Sequence, residues 1–426
     1  MSSDHPETAG REQRTLIRNA RQLLTLHGAS GPRRGSAMSE LGVIPNGALL
    51  IRNGIIEEAG PARRVENLAA ARNAREIDAS GRVVMPAFVD PDIALVSPRP
   101  RTRDGDEWDP ATDNGAAIRV TSRHNVEIRA AAVAAERARY GCLTAGSHTG
   151  CAADLKNVIK ILRVQRLLQS KPLRIRSIFS WCPVAVEELA DKWLPAIRKE
   201  KLASVIDLSA DLPGAELQDG SRTVAMRLLS ARDAAVAAAA GGFAIRVRSL
   251  NVPEPSALLL ALSGGAISII APLDNLQAFT GPLAAIGCVR VVPASAAFDR
   301  PEETAVRVRN AIGEGSAIAL SSTYRVREAS SFNTQFLLHL AVYRLGLSAE
   351  EAIVSTTYNA ACSLRMSHVT GSLEPGKSAD LLIMDVPDYR ELPRRAGHND
   401  IALSMRAGRV IDHRLGSGFD LGLVTK

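Results

Sequence analysis

Aromatic residues are scarce in this 426-residue chain, only 4 % of the total, so any core must be built from Ala, Val, Leu and Ile. Paired cysteines are missing. The five cysteines, Cys142, Cys151, Cys182, Cys288 and Cys362, stand far apart and form no CxxC motif, which argues against a disulfide framework or a zinc ribbon. Their number is odd, and a reducing, cytoplasmic compartment fits. The start, "MSSDHPETAGREQRT", has no apolar stretch of the kind a secretory signal needs. No uncharged run is long enough to span a bilayer. The nearest, "DAAVAAAAGGFAI", is short and lies between Arg232 and Arg246, so it reads as a buried helix running into a strand. The chain is basic, with a formal charge of +7, but its arginines are scattered and not interleaved with aromatics. That pattern describes a solvated basic surface and gives no footprint for nucleic acid.

What is present is an ordinary globular balance, 46 % hydrophobic and 23 % charged, over a length that suits one large domain and a smaller one. Residues 1–13 read as a disordered tail. "TLIRNARQLLTL" and "GALLIRNGIIEEAG" alternate apolar and polar residues, with a hairpin signal at Asn53-Gly54 and a further turn at Ser80-Gly81. "SGPRRGSAMSELG" reads as a loop within this unit.

From residue 83 short apolar runs alternate with helical patterns. "SRHNVEIRAAAVAAERARYG" is a helix ending at Gly141, and "CLTAGSHTG" a strand. "DLKNVIKILRVQRLLQ" is a helix with Asp154 as N-cap, followed by the strand "LRIRSIFSW". The alternation continues through "LASVIDLSA", "GFAIRVRS", "AISIIA" and "SAIALSS". Strands that alternate with helices become parallel through right-handed crossovers. About eight of them close a barrel. A doubly wound open sheet has the same order of elements, but the length favours the barrel. After residue 369 strand-and-turn chemistry returns in "GSLEPGKSADLLIMD" and "IALSMRAGRVIDH", with a turn at Ala407-Gly408. The expected architecture is therefore α/β: a (β/α)8 TIM-like barrel over 83–368, with a small β-sandwich domain built from both termini, 14–82 plus 369–426.

Three stretches, "DASGRVVMPAFVD", "RLGLSAEEAIVSTTYNAA" and "GSLEPGKSADLLIMDVPDYRELPRRAGHN", carry a resemblance to the amidohydrolase superfamily, and within it to the imidazolonepropionase-like group. The resemblance runs from about residue 15 to the C-terminus. It implies a hydrolase that opens a cyclic amide with water activated by a divalent metal, held at the C-terminal ends of barrel strands. Those ligand positions are changed here. Where the family has His-x-His, this chain has Asp92-Ile93-Ala94. The third histidine falls on Arg248, the acid used in proton transfer on Asn251, a further histidine on Ala271, and the last strand's aspartate on Thr323. Among substrate-binding positions, an arginine is kept as Arg101, a tyrosine becomes Cys151, and a histidine becomes Ser180. A transition ion needs three or four donors aimed at one point, and only Asp92 remains of that set. The resulting expectation is no metal and no cofactor.

Several arrangements remain open. His148 could join Asp92 and Cys151 in a new metal site or an acid–base pair, or simply line a vestigial pocket. Asp92 and Arg248 could pair across the space a metal would fill, or Arg101, Arg248 and Arg325 could hold an anion. Asp90 reads as a buried structural aspartate and Asn359 as a buried amide; Ser321-Ser322 lacks the setting of a serine nucleophile. Functionally these lead to an inactive binding or partner subunit, a divergent hydrolase of a cyclic amide or other non-peptide C–N bond, or an interaction protein with a filled pocket. Its ligand would be a small anionic or cyclic-amide molecule. Its partners would be a second copy in a homodimer, or an active paralogue in a heteromer, with neither nucleic acid nor membrane.

Overall fold

A computed structural model describes residues 14–96, 118–150, 154–170, 172–181, 185–209, 222–248, 254–270, 280–298, 301–323 and 333–411. Among the expected site residues, Arg101, Cys151, Asn251, Ala271 and Arg325 lie outside the described residues.

Both ends of the chain contribute to one eight-stranded sheet. Its strands are β1 (Arg14–Leu24), β2 (Val43–Arg52), β3 (Ile55–Pro61), β4 (Arg75–Asp78) and β5 (Val83–Pro86), joined after the barrel by β14 (Leu381–Met384), β15 (Ile401–Arg406) and β16 (Arg409–Val410). The sequence reading assigned Val83–Pro86 to the barrel, whereas here it pairs with β1 and β14, and the barrel starts one residue after it ends. The Asn53-Gly54 hairpin forms as read: both residues have positive φ (50° and 83°), and Arg52 pairs with Ile55. Ala407-Gly408 turns the same way. β1 changes partners along its length, β4 beside its first half and β5 beside its last residues, with a bulge between Ile17 and Ala20. The sheet thereby bends over a core of its own that includes Ile17, Leu23, Leu49, Leu381 and Leu403.

The other eight strands are all parallel: β6 (Phe88–Ile93), β7 (Cys142–His148), β8 (Arg174–Trp181), β9 (Val205–Ser209), β10 (Ala244–Arg248), β11 (Ser268–Ile270), β12 (Val289–Pro293) and β13 (Ile318–Ser321). They follow one another in chain order, and the last lies beside the first. An open doubly wound sheet would separate its first and last strands, so this is the (β/α)8 barrel. The apolar runs became strands because both faces are covered, by helices outside and packed side chains inside. "DAAVAAAAGGFAI" is the end of helix Arg222–Ala240, two glycines and the start of β10; no described helix is long and apolar enough to cross a membrane. Asp154 caps its helix, accepting the N–H of Asn157 at 2.8 Å.

The seam between β13 and β6 is held by side chains. The Ser321 hydroxyl donates to Asp90 Oδ1 (2.7 Å) and lies 2.8 Å from the Asp92 carbonyl oxygen, while the Ser322 N–H reaches Asp90 Oδ2 (3.2 Å). Arg137, fully buried on helix Arg123–Arg139, completes this network with an ion pair to Asp90. Asp90 is thus structural, as read from the sequence. Asn359 is a buried amide that bridges the Arg33 backbone and the Ile318 carbonyl, tying the loop of the first unit to the base of β13.

Candidate functional site

A charged side chain that points into a barrel must find its opposite there, because an isolated buried charge is prohibitively costly. Four residues solve this together. Arg246 on β10 sits in register with Asp207 on β9, and Arg248 lies two residues on, on the same face. Asp92 reaches them from β6. Arg246 donates to Asp207 Oδ1 (3.2 Å) and Oδ2 (3.0 Å), to Asp92 Oδ1 (2.7 Å) and to the Pro91 carbonyl (2.7 Å). Arg248 donates to Asp207 Oδ2 (2.9 Å), to Asp92 Oδ2 (3.1 Å), and through Nη2 to Asp92 Oδ1. Asp92 and Arg246 are 0 % exposed, Asp207 2 % and Arg248 9 %. Two carboxylates and two guanidiniums leave the group neutral.

Its electrostatics follow from that pairing. Burial works to raise the Asp92 carboxyl, but the charges of Arg248 and Arg246, with His148 adding to them, hold it far below the usual carboxylate range. Asp207 is treated alike: burial pushes up, Arg246 and Arg248 pull down, and it settles at about 2. Burial disfavours the Arg248 cation, yet Asp207 and Asp92 outweigh it and the guanidinium is held charged.

The expected Asp92–Arg248 pair is therefore present, inside a larger cluster. Arg246 and Asp207 were missed in the sequence. The signal was there, an Arg-x-Arg in "FAIRVRS" and a lone Asp in the apolar "LASVIDLSA", since charges on one face of a barrel strand call for partners. Arg248 has all three guanidinium nitrogens donating to carboxylates, so it has no free fork for an anion shared with Arg101 and Arg325.

His148 ends β7, 7 % exposed, with Nε2 3.9 Å from Asp92 Oδ1, beyond a direct hydrogen bond. Its Nδ1 accepts the Gly150 N–H at 3.1 Å, which places the ring hydrogen of the neutral form on Nε2, facing Asp92. The Ser180 backbone N–H donates to Thr149 Oγ1 (3.0 Å). Thr323, just past β13, has φ 44°, an outlying backbone for a β-branched residue, and its N–H donates to Ser321 Oγ at 2.9 Å.

A divalent metal does not fit this donor set. Both oxygens of Asp92 and both of Asp207 already accept guanidinium N–H groups, and among the described residues no three His, Cys, Asp or Glu side chains are placed to hold an ion. A metal beside Arg246 and Arg248 would meet repulsion of about 4 kcal/mol per pair of unit charges at roughly 4 Å and an effective dielectric of about 20.

Solved structures share the architecture across nearly the whole chain. The A. niger ochratoxinase superposes with a TM-score of 0.68 at 15 % identity, covering 94 % of this chain and 96 % of its own. The N-isopropylammelide isopropylaminohydrolase of Burkholderia multivorans gives 0.67 at 18 % identity, covering 93 % and 98 %. The fold they share is thus a parallel barrel joined to a second sheet, and the amidohydrolase family model matches residues 301–412. Sequence relatives narrow it. The imidazolonepropionase of Symbiobacterium thermophilum is 30 % identical, over 93 % of this chain and 96 % of the relative. That of Solibacter usitatus is 29 % identical, over 94 % and 99 %. This chain belongs to the imidazolonepropionase-like group of the amidohydrolase superfamily.

Proposed function

We propose that this protein keeps the amidohydrolase scaffold without metal-assisted hydrolysis and works as a catalytically inactive binding or partner subunit. The observation that carries the reading is the neutral Asp92–Asp207–Arg246–Arg248 cluster, which occupies the barrel interior where the resemblance puts the metal ligands. A site that had merely lost one ligand would retain converging donors; here two cations take the donors' lone pairs. The same cluster argues against a divergent hydrolase built on Asp92 and His148, because a carboxylate clamped by two guanidiniums and held far below neutrality is a poor proton acceptor. As a partner, the chain would assemble with a second copy or with an active relative of the same fold.

The test is turnover. Protein expressed with zinc, iron and manganese in the medium is assayed for ring opening of an imidazolone amide. The expected result is no turnover above that of a preparation carrying Asp92→Ala. Turnover abolished by that substitution would instead establish the divergent hydrolase.

A further inference from the structure

Five consecutive helix-to-strand turns at the N-terminal end of the barrel close in the same way. The residue before the last of each turn is left-handed and donates its N–H to the carbonyl three residues back, and the next N–H reaches five residues back. Leading into β10, β11, β12 and β13 the left-handed residue is Gly242, Gly265, Gly287 and Gly315. Leading into β9 it is Lys201, with φ 52°, donating to Arg198 (2.9 Å), while Leu202 donates to Ile197 (3.1 Å). A side chain is disfavoured in that conformation, and the other four turns do without one.

The exception stands on a cavity. Lys201, Arg176 and Arg198 line a cleft of about 340 Å³ with Phe243 and Leu202 as apolar walls and the Ser177 edge beside them. No Asp or Glu lines it. Glu200, next to Lys201 in sequence, is turned away and held by Arg163 at 2.9 and 2.7 Å. Arg198 spends one N–H on the Gly241 carbonyl (2.8 Å). Arg176 has a buried Nε with no hydrogen-bond partner, and burial together with the like charge of Arg365 lowers its pKa. Three cations therefore line one small-molecule-sized hollow with no carboxylate among its lining residues, a setting that suits an anionic ligand.

We propose that this cleft binds a small phosphate-bearing molecule, with Lys201 and Arg176 as its charged ligands. A dianionic group matches a cleft lined by three cations better than a monocarboxylate does. A planar guanidinium fork with a mobile ammonium is the pair that grips phosphate oxygens.

Calorimetric titration of the full chain with inorganic phosphate tests this, with acetate and chloride at matched ionic strength as the other arms. Saturable binding of one phosphate per chain is expected, weakened at least tenfold in Lys201→Gly and in Arg176→Gln and unchanged in Lys199→Gln, an exposed lysine outside the cleft. Lys201→Gly is also expected to raise the melting temperature of the unliganded protein, because glycine suits the turn; loss of affinity in a more stable protein cannot come from misfolding. Phosphate binding no tighter than that of acetate or chloride, or full affinity in Lys201→Gly, would overturn the proposal.

Discussion

At Asp92 both carboxylate oxygens accept from guanidiniums, so a dication there would have to compete with two resident cations. Removing one cation from the cluster leaves a buried carboxylate short of its partner. Arg246→Met is therefore expected to cost about 3–5 kcal/mol in urea unfolding. The joint change Asp207→Leu with Arg246→Met removes a whole pair and is expected to cost clearly less. A single change as mild as the double one would show that the pair is not coupled. The pH dependence has a definite sign. Asp207 titrates at about 2 in the folded chain and near 3.9 when unfolded, so its contribution is present above about pH 4 and lost as pH falls through about 2. Asp92, held lower still, extends the loss to more acid pH. Urea midpoints should fall steeply below pH 4, and less steeply in Asp207→Asn; a flat profile would contradict the pairing. At this scale the sequence was legible for Asp92 and Arg248, whose positions the family pattern marks. It hid Arg246 and Asp207, because their meaning depends on strand register, which only the fold supplies.

Among the elements, the β6–β13 seam is the place where closure depends on side chains. Ser321 is fully buried and serves Asp90, the Asp92 carbonyl and the Thr323 N–H together. Ser321→Ala should destabilise the chain by about 1–3 kcal/mol, the range for stranding buried polar partners. The loss should be local: hydrogen exchange should quicken in β6 and β13 and stay unchanged in β9 and β10. Uniform protection across all four strands would show that the seam closes without that hydroxyl. Strands and helices were readable here because apolar runs and helical spacing report burial directly, as in "LRIRSIFSW" and "DLKNVIKILRVQRLLQ". Val83–Pro86 was assigned to the wrong sheet because a short buried strand looks the same in either, and its partners β1 and β14 are distant in sequence.

For the whole molecule, the terminal sheet keeps a core of its own on one face and packs Val83, Met85, Leu382 and Met384 into the barrel's core on the other, where Arg174 at the start of β8 also pairs with Asp380 just before β14. The sheet and the barrel together match the fold of the solved structures over 94 % of the chain. In the proposed reading the departure lies in the chemistry at the mouth, and a shared architecture is compatible with that, because function resides in the site and not in the fold. The most direct measurement of this account is elemental analysis of protein purified without chelators from medium rich in zinc, iron and manganese. The expected result is well under one equivalent of any transition metal per chain, for the wild type and for Asp92→Ala alike. One tightly held metal per wild-type chain, lost in Asp92→Ala, would contradict it.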